Sequence, residues 1–194
     1  MEIILHRRNS TKSLKETPKI YGIEVDIRTL GKDLIINHDP FKSGEKFSEW
    51  IKHYDHGTLI LNIKEEGLEE EIIKYINLYK IKSYFFLDQT FPFLIKTISE
   101  GESNCAVRVS EYESIETALN LKGKVKWVWI DMFKELSISY DDFKRLKLAN
   151  FKLCLVSPEL QKENKNDIES VKEIINNRKI NFDAVCTKYP LNWM

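Results

Sequence analysis

The chain has 194 residues, a length that suits one domain, 1–194, with a full hydrophobic core. Lys and Arg together number 30, as do Asp and Glu, so there is no basic surplus of the kind a dedicated nucleic-acid binder uses to neutralise phosphates. A hydrophobic share of 42% and a charged share of 31% are those of a soluble globular protein.

The opening Met1–His6 is too short an apolar stretch for a signal peptide, and Arg7-Arg8 follow it instead of preceding it. No later run approaches the roughly 20 apolar residues of a membrane span. A cytoplasmic location, with no membrane insertion and no nucleic-acid partner, is the expectation. The sequence carries no signal for the oligomeric state.

Short apolar runs then alternate with amphipathic stretches. The runs Ile3–His6, Gly22–Arg28, Thr58–Lys64, Ser83–Asp88, Asn104–Ser110, Val125–Met132, Phe151–Ser157 and Phe182–Thr187 read as strands. Several are nearly continuous in apolarity, as strands buried on both faces are. Glu66–Tyr79, Phe91–Ser99, Ser114–Leu121, Tyr140–Leu148 and Asn166–Asn176 have helical periodicity. Ser139 and Asn166-Asp167 stand where N-caps are needed. Lys42–Tyr54 predicts only a short helix, and Arg8–Tyr21 a loop with a helical turn. Cys105, Cys154 and Cys186 are odd in number and far apart. They fit neither a zinc site nor a disulfide framework, which indicates a reducing compartment.

Eight strands with intervening helices predict an α/β fold of the TIM-like (β/α)8 barrel type. An open doubly wound sheet is the alternative. Such barrels take about 250 residues, so in this chain some helices must be short or missing.

Polar residues gather at the carboxyl ends of the predicted strands, where barrel active sites are built. They are His6-Arg7, Glu24-x-Asp26, His38-Asp39 after a short extended piece, Asn62-x-Lys64, Arg108, Asp131 and Thr187-Lys188. A two-residue spacing puts Glu24 and Asp26 on one face of a strand. Two acids in an otherwise apolar strand need a metal or a cation partner. Oxygen donors suit Mg²⁺, Ca²⁺ or Mn²⁺ better than zinc. The alternative is a structural network with Arg7, Arg28 or Lys64. The imidazole side chain is suited to acid–base work, so His6 and His38 could share it as a pair, or are two unrelated surface or capping histidines. His53 and His56 read as solvent-facing. Lys64 and Arg7 suit phosphate oxygens, or are ordinary charged strand ends. Arg108 and Lys188 are further candidate substrate contacts. Trp129, which alternates with Trp127 on its strand, is a candidate stacking surface or a core aromatic.

Taken in order, His6-Arg7, Glu24-Val25-Asp26, His38-Asp39, Leu61-Asn62-Ile63-Lys64 and Cys186-Thr187-Lys188-Tyr189-Pro190 resemble the motifs of the glycerophosphodiester phosphodiesterase family, within the phospholipase-C-like phosphodiesterase superfamily. Leu155–Leu160, together with Cys186–Pro190, looks like a compact bacterial subgroup associated with surface-polysaccharide loci. The resemblance implies a phosphoric diester hydrolase. His6 and His38 would be its acid and base, Glu24, Asp26 and Asn62 would hold a divalent metal, and Arg7 and Lys64 would grip the phosphate. The substrate would be a small glycerophosphodiester or, by the subgroup, a nucleotide-activated polyol of the CDP-glycerol kind.

Two departures stand out. Arg8 replaces the family's glycine, which removes backbone freedom there. Asn62 replaces a third metal carboxylate, so a further acid such as Asp88 or Asp131 is a candidate to complete the set. These departures also motivate a different reading, a catalytically silent barrel that binds a phosphorylated ligand.

Overall fold

The computed structural model describes residues 1–162 and 167–194. In chain order its elements are β1 (Glu2–Leu5), α1 (Thr11–Glu16), β2 (Gly22–Leu30), β3 (Asp33–Ile36), β4 (Glu45–Lys46), α2 (Phe47–Trp50) with a 3₁₀ turn (Ile51–His53), and β5 (Leu59–Ile63). They continue as α3 (Glu69–Leu78), β6 (Tyr84–Leu87), α4 (Phe91–Ser99), β7 (Ala106–Val109), α5 (Ile115–Asn120), β8 (Trp127–Ile130) and α6 (Tyr140–Leu148). The last are β9 (Lys152–Val156), α7 (Glu159–Lys162), α8 (Asp167–Asn177), β10 (Ala184–Thr187) and a 3₁₀ turn (Pro190–Trp193). Each of the eight expected strands has its counterpart, and α2, α5 and α7 are as short as the chain length requires. The expected cap at Asn166 lies outside the described residues. Among the described residues, no helix is long and apolar enough to cross a membrane.

The chain divides into two compact units. One comprises His6–Glu102, the other Met1–Leu5 with Ser103–Met194. In the first unit β5 lies between β2 and β6, parallel to both, while β3 pairs antiparallel with β2, and β4 with β3. Ile23, Val25 and Ile27 fill one face of β2, and the opposite face carries Glu24 and Asp26, all of them buried. The alternation of side chains along a strand separates the two sets. Helix α3 buries Ile72 and Ile76, and α4 buries Leu94 and Thr97.

The loop expected over Arg8–Tyr21 contains a capped helix. Ser10 accepts the Ser13 N–H at 3.1 Å, while the Ser13 hydroxyl answers the Ser10 N–H at 3.2 Å. Serine at the third helical position does the work usually given to Glu or Gln, so the capping signal was not visible in the residue types. Phe47 and Trp50 of α2 are fully buried, and the Trp50 indole donates to the Arg8 carbonyl at 3.0 Å. Two aromatic anchors thus fix a four-residue helix with weak periodicity. His56 is half-buried, not solvent-facing. Its Nε2 lies 3.1 Å from the Thr17 carbonyl and its ring rests against Tyr54.

In the second unit the sheet order is β1-β10-β9-β8-β7, parallel throughout. Helix α6 opens on the expected Ser139 cap, which accepts the Asp142 N–H at 3.1 Å. All three cysteines are free and buried, and burial raises the Cys154 thiol pKa well above its ordinary value.

Glu159 is 1% exposed. Its carboxylate accepts the Ser157 hydroxyl, the Thr187 hydroxyl at 2.6 Å and the Lys188 N–H at 2.9 Å. This one side chain fastens the end of β10 to the turn after β9. Glu159→Ala removes the acceptor of the buried Ser157 and Thr187 hydroxyls, and loss of about 3 kcal/mol is expected, read as a lower urea midpoint at unchanged m-value.

Candidate active site

The parallel register of β2 and β5 sets Asp26 opposite Asn62, with Glu24 two residues earlier on the same face. Glu24 and Asp26 are 1% and 0% exposed. Main-chain and amide donors hold both. The Arg7 N–H donates to Glu24 Oε2 at 2.6 Å, and Asn62 Nδ2 to Glu24 Oε1 at 2.8 Å. Asn9 and Asp26 clasp each other. Asn9 Nδ2 donates to Asp26 Oδ2 at 2.7 Å, and the Asp26 N–H donates to Asn9 Oδ1 at 3.0 Å. Sequence reasoning passed over Asn9, whose only signal is an amide placed just after the His-Arg pair.

Three basic side chains border the acids. His6 Nε2 is 3.8 Å from Glu24 Oε2, Arg7 Nε is 3.5 Å from Asp26 Oδ2, and Lys64 Nζ is 3.4 Å from Asp26 Oδ1. Lys64 also pairs with Asp88 at 3.2 Å. Burial, and then the charge of Asp26, push the Glu24 pKa up from its ordinary 4.5 to about 8, against the opposing pull of Asn62, the Arg7 N–H and Lys64. Burial beside Asp26 therefore favours the protonated form of Glu24 in the metal-free protein.

The turn into α1 aims these groups. Arg7 itself takes the left-handed conformation, with φ of 52°. Arg8 does not, so the freedom of a glycine at that position is not required. Its N–H donates to the Glu24 carbonyl at 2.9 Å.

His38 follows β3. Its carbonyl accepts Arg28 Nε at 3.0 Å, and its Nδ1 lies 2.9 Å from Asp39 Oδ1. A carboxylate on Nδ1 fixes the tautomer and leaves Nε2 available for proton transfer. The His38 hydrogen bond holds the Asp39 carboxyl below its usual range, and the charge of Arg7 contributes in the same direction. The neighbouring Asn37 N–H donates to the Asp26 carbonyl at 3.2 Å, so this segment is tied to the strand that carries the acids.

The remaining candidates belong to the other unit. Arg108 Nη1 lies 3.3 Å from Asp131 Oδ2, and its Nε 4.0 Å from Glu113. Asp131 is buried and accepts Gln161 Nε2 at 2.8 Å. Trp129, opposite Arg108 in the register, is 5% exposed. Lys188 is exposed, with its N–H on Glu159.

Among the described residues, no group of three or more His, Cys, Asp or Glu is arranged to hold a metal. The oxygen set on β2 and β5 nevertheless fits a hard divalent cation. Among the described residues, Asn62 Oδ1 is buried and accepts no hydrogen bond, and Asp26 Oδ1 meets the Lys64 ammonium at 3.4 Å without a hydrogen bond, oxygens that a divalent cation could use.

No protein-family model matches the chain, and no curated protein matches it. Solved structures do. A glycerophosphodiester phosphodiesterase from Agrobacterium tumefaciens str. C58 superposes with a TM-score of 0.67 at 10% identity, over 99% of this chain and 97% of that one. A glycerophosphoryl diester phosphodiesterase from Parabacteroides distasonis ATCC 8503 gives 0.65 at 12% identity, over 98% and 84%. The likeness extends over nearly every residue, and it shows that the chain has the TIM-like α/β fold of glycerophosphodiester phosphodiesterases.

Proposed function

We propose that this chain is a metal-dependent phosphoric diester hydrolase that cleaves a small glycerophosphodiester by paired histidine acid–base catalysis. The observation that carries this reading is the buried Glu24–Asp26–Asn62 oxygen set with His6, Arg7 and Lys64 in contact with it. The fold shared with glycerophosphodiester phosphodiesterases supports it.

Glu24, Asp26 and Asn62 would hold Mg²⁺, Ca²⁺ or Mn²⁺, which supplies charge neutralisation on the phosphate oxygens. Arg7 and Lys64 grip those oxygens and stabilise the added charge of the five-coordinate transition state. One histidine removes the proton from the attacking oxygen as the new P–O bond forms. The other protonates the leaving alkoxide as the old P–O bond breaks. Asp39 keeps the His38 ring oriented for its share of this exchange. The attacker is water or a neighbouring hydroxyl of the substrate, the latter giving a cyclic phosphate first. An internal attack gains from proximity, with effective molarities of about 10⁵ M or more.

The alternative is a silent barrel that binds a phosphorylated ligand. It is favoured by Asn62 standing as a neutral donor to Glu24. A panel of glycerophosphodiesters and CDP-glycerol, assayed with each metal, separates the two.

His6→Ala and His38→Ala are each expected to lower kcat by about 10²-fold or more, in protein that unfolds at the wild-type temperature. Near wild-type turnover in both variants would end the acid–base assignment. Exhaustive chelation is expected to abolish turnover, and added Mg²⁺ or Ca²⁺ to restore it, as followed by phosphorus NMR.

The raised Glu24 pKa gives a further check. Between its ordinary 4.5 and about 8, the folded metal-free protein keeps a proton that the unfolded chain has lost. The stability this group contributes is complete below the ordinary value and is lost as pH rises through about 8. The Tm of the metal-free protein is expected to fall from pH 5 to pH 8, and Glu24→Gln to flatten that decline.

A further inference from the structure

Burial does not hold His38 and Asp39 in place, since their side chains are 42% and 64% exposed. A histidine that moves protons needs a fixed position, because a displacement of about 1 Å costs about 10²-fold in rate. Hydrogen bonds fasten the segment instead. The Asn37 N–H donates to the Asp26 carbonyl at 3.2 Å. The Asp39 N–H donates to Asn37 Oδ1 at 2.9 Å, and Asn37 Nδ2 to the Ser43 carbonyl at 2.7 Å. His38 is gripped by its own carbonyl, which accepts Arg28 Nε at 3.0 Å.

Arg28 follows Asp26 by two residues on β2, so the alternation of the strand puts it on the face of the acids. Its guanidinium nevertheless goes elsewhere. While Nε takes the His38 carbonyl, Nη1 meets Glu65 Oε1 at 3.4 Å. The second Glu65 oxygen accepts the Thr29 N–H at 3.1 Å and the Thr29 hydroxyl, so this carboxylate is itself anchored on β2. The Arg28 side chain is 15% exposed, which limits the screening of the pair by solvent. Glu65 directly follows Lys64, whose Nζ lies 3.4 Å from Asp26 Oδ1 and whose N–H donates to the Ile27 carbonyl at 3.0 Å. One planar guanidinium thus joins the main chain of His38 to the neighbour of Lys64. Its donors point in fixed directions, whereas a lysine ammonium sits on a flexible stem.

We infer that Arg28 and Glu65 are positioning residues for His38, a bracket that sets the histidine relative to Lys64. The inference rests on the hydrolase reading above. The bracket keeps the imidazole in reach of the substrate oxygen while Lys64 holds the phosphate. Both residues act through His38 and not on the reacting atoms.

Arg28→Lys keeps a cation beside Glu65 and removes the fork. It is expected to lower kcat for a glycerophosphodiester by about tenfold, with KM and the calorimetric Mg²⁺ affinity within about twofold of wild type. In a His38→Ala background the same substitution is expected to cost nothing further, because a residue that acts through His38 has nothing left to position. Glu65→Gln is expected to follow the same pattern, and it serves if Arg28→Lys fails to fold. An unchanged kcat, a loss confined to KM, a matching fall in Mg²⁺ affinity, or an equal loss with and without His38 overturns the positioning role and leaves the hydrolase reading intact. Turnover of no diester by wild type overturns the hydrolase reading. Amide hydrogen exchange then decides the positioning alone. Faster exchange at Asn37 and Asp39 in Arg28→Lys, with Ile60 and Leu61 of β5 unchanged, supports it. Exchange that rises equally in β5, or does not rise at Asn37 and Asp39, overturns it.

Discussion

Two carboxylates buried side by side on one strand face set the terms for everything around them. Glu24 and Asp26 have almost no solvent, and a lone buried carboxylate is too costly to keep charged without partners. The chain answers with donors from several directions: the Arg7 main chain, the amides of Asn9 and Asn62, and the cationic ends of Arg7 and Lys64. Both Glu24 oxygens accept hydrogen bonds, whereas Asp26 accepts through Oδ2. Among the described residues, Asn62 Oδ1 is left without a hydrogen bond, and Asp26 Oδ1 faces the Lys64 ammonium at 3.4 Å without one. An arrangement built only for stability would have closed those gaps or replaced the acids with apolar residues.

Much of this was legible in the residues. The strand runs were readable because β5 and β6 are apolar at nearly every position and β2 along one whole face, so that Glu24, Asp26 and Asn62 stood out. The Glu24-x-Asp26 spacing dictated a shared face irrespective of tertiary detail. His6-Arg7 and Asn62-x-Lys64 were legible as strand ends that do not simply fade into solvent.

Other features had no such signal. The cap of α1 depends on Ser13 at a position where the usual pattern calls for Glu or Gln. Asn9 matters because the turn at Arg7 brings it back over Asp26, a consequence of one left-handed residue that residue type does not announce. Arg8 looked like a loss of backbone freedom, yet the turn places that demand on its neighbour. Glu159 sat unremarked in a Ser-Pro-Glu-Leu string, though its carboxylate ties together Ser157, Thr187 and Lys188. Long-range polar pairing of this kind is decided by packing, which local pattern does not encode.

The pairing of Asp26 with Asn62 across β2 and β5 has an implication for how such a chain can change. Sliding β5 by a single residue would turn Asn62 into the apolar layer and bring Leu61 or Ile63 to face the acids. The hydrophobic core itself would offer little resistance, since both faces of β5 are buried and the strand is apolar at every other position. Insertions in the connection before Leu59 therefore threaten the chemistry before they threaten folding. A lineage could lose this arrangement of side chains through a lengthened loop, with each of those polar residues still present in its sequence.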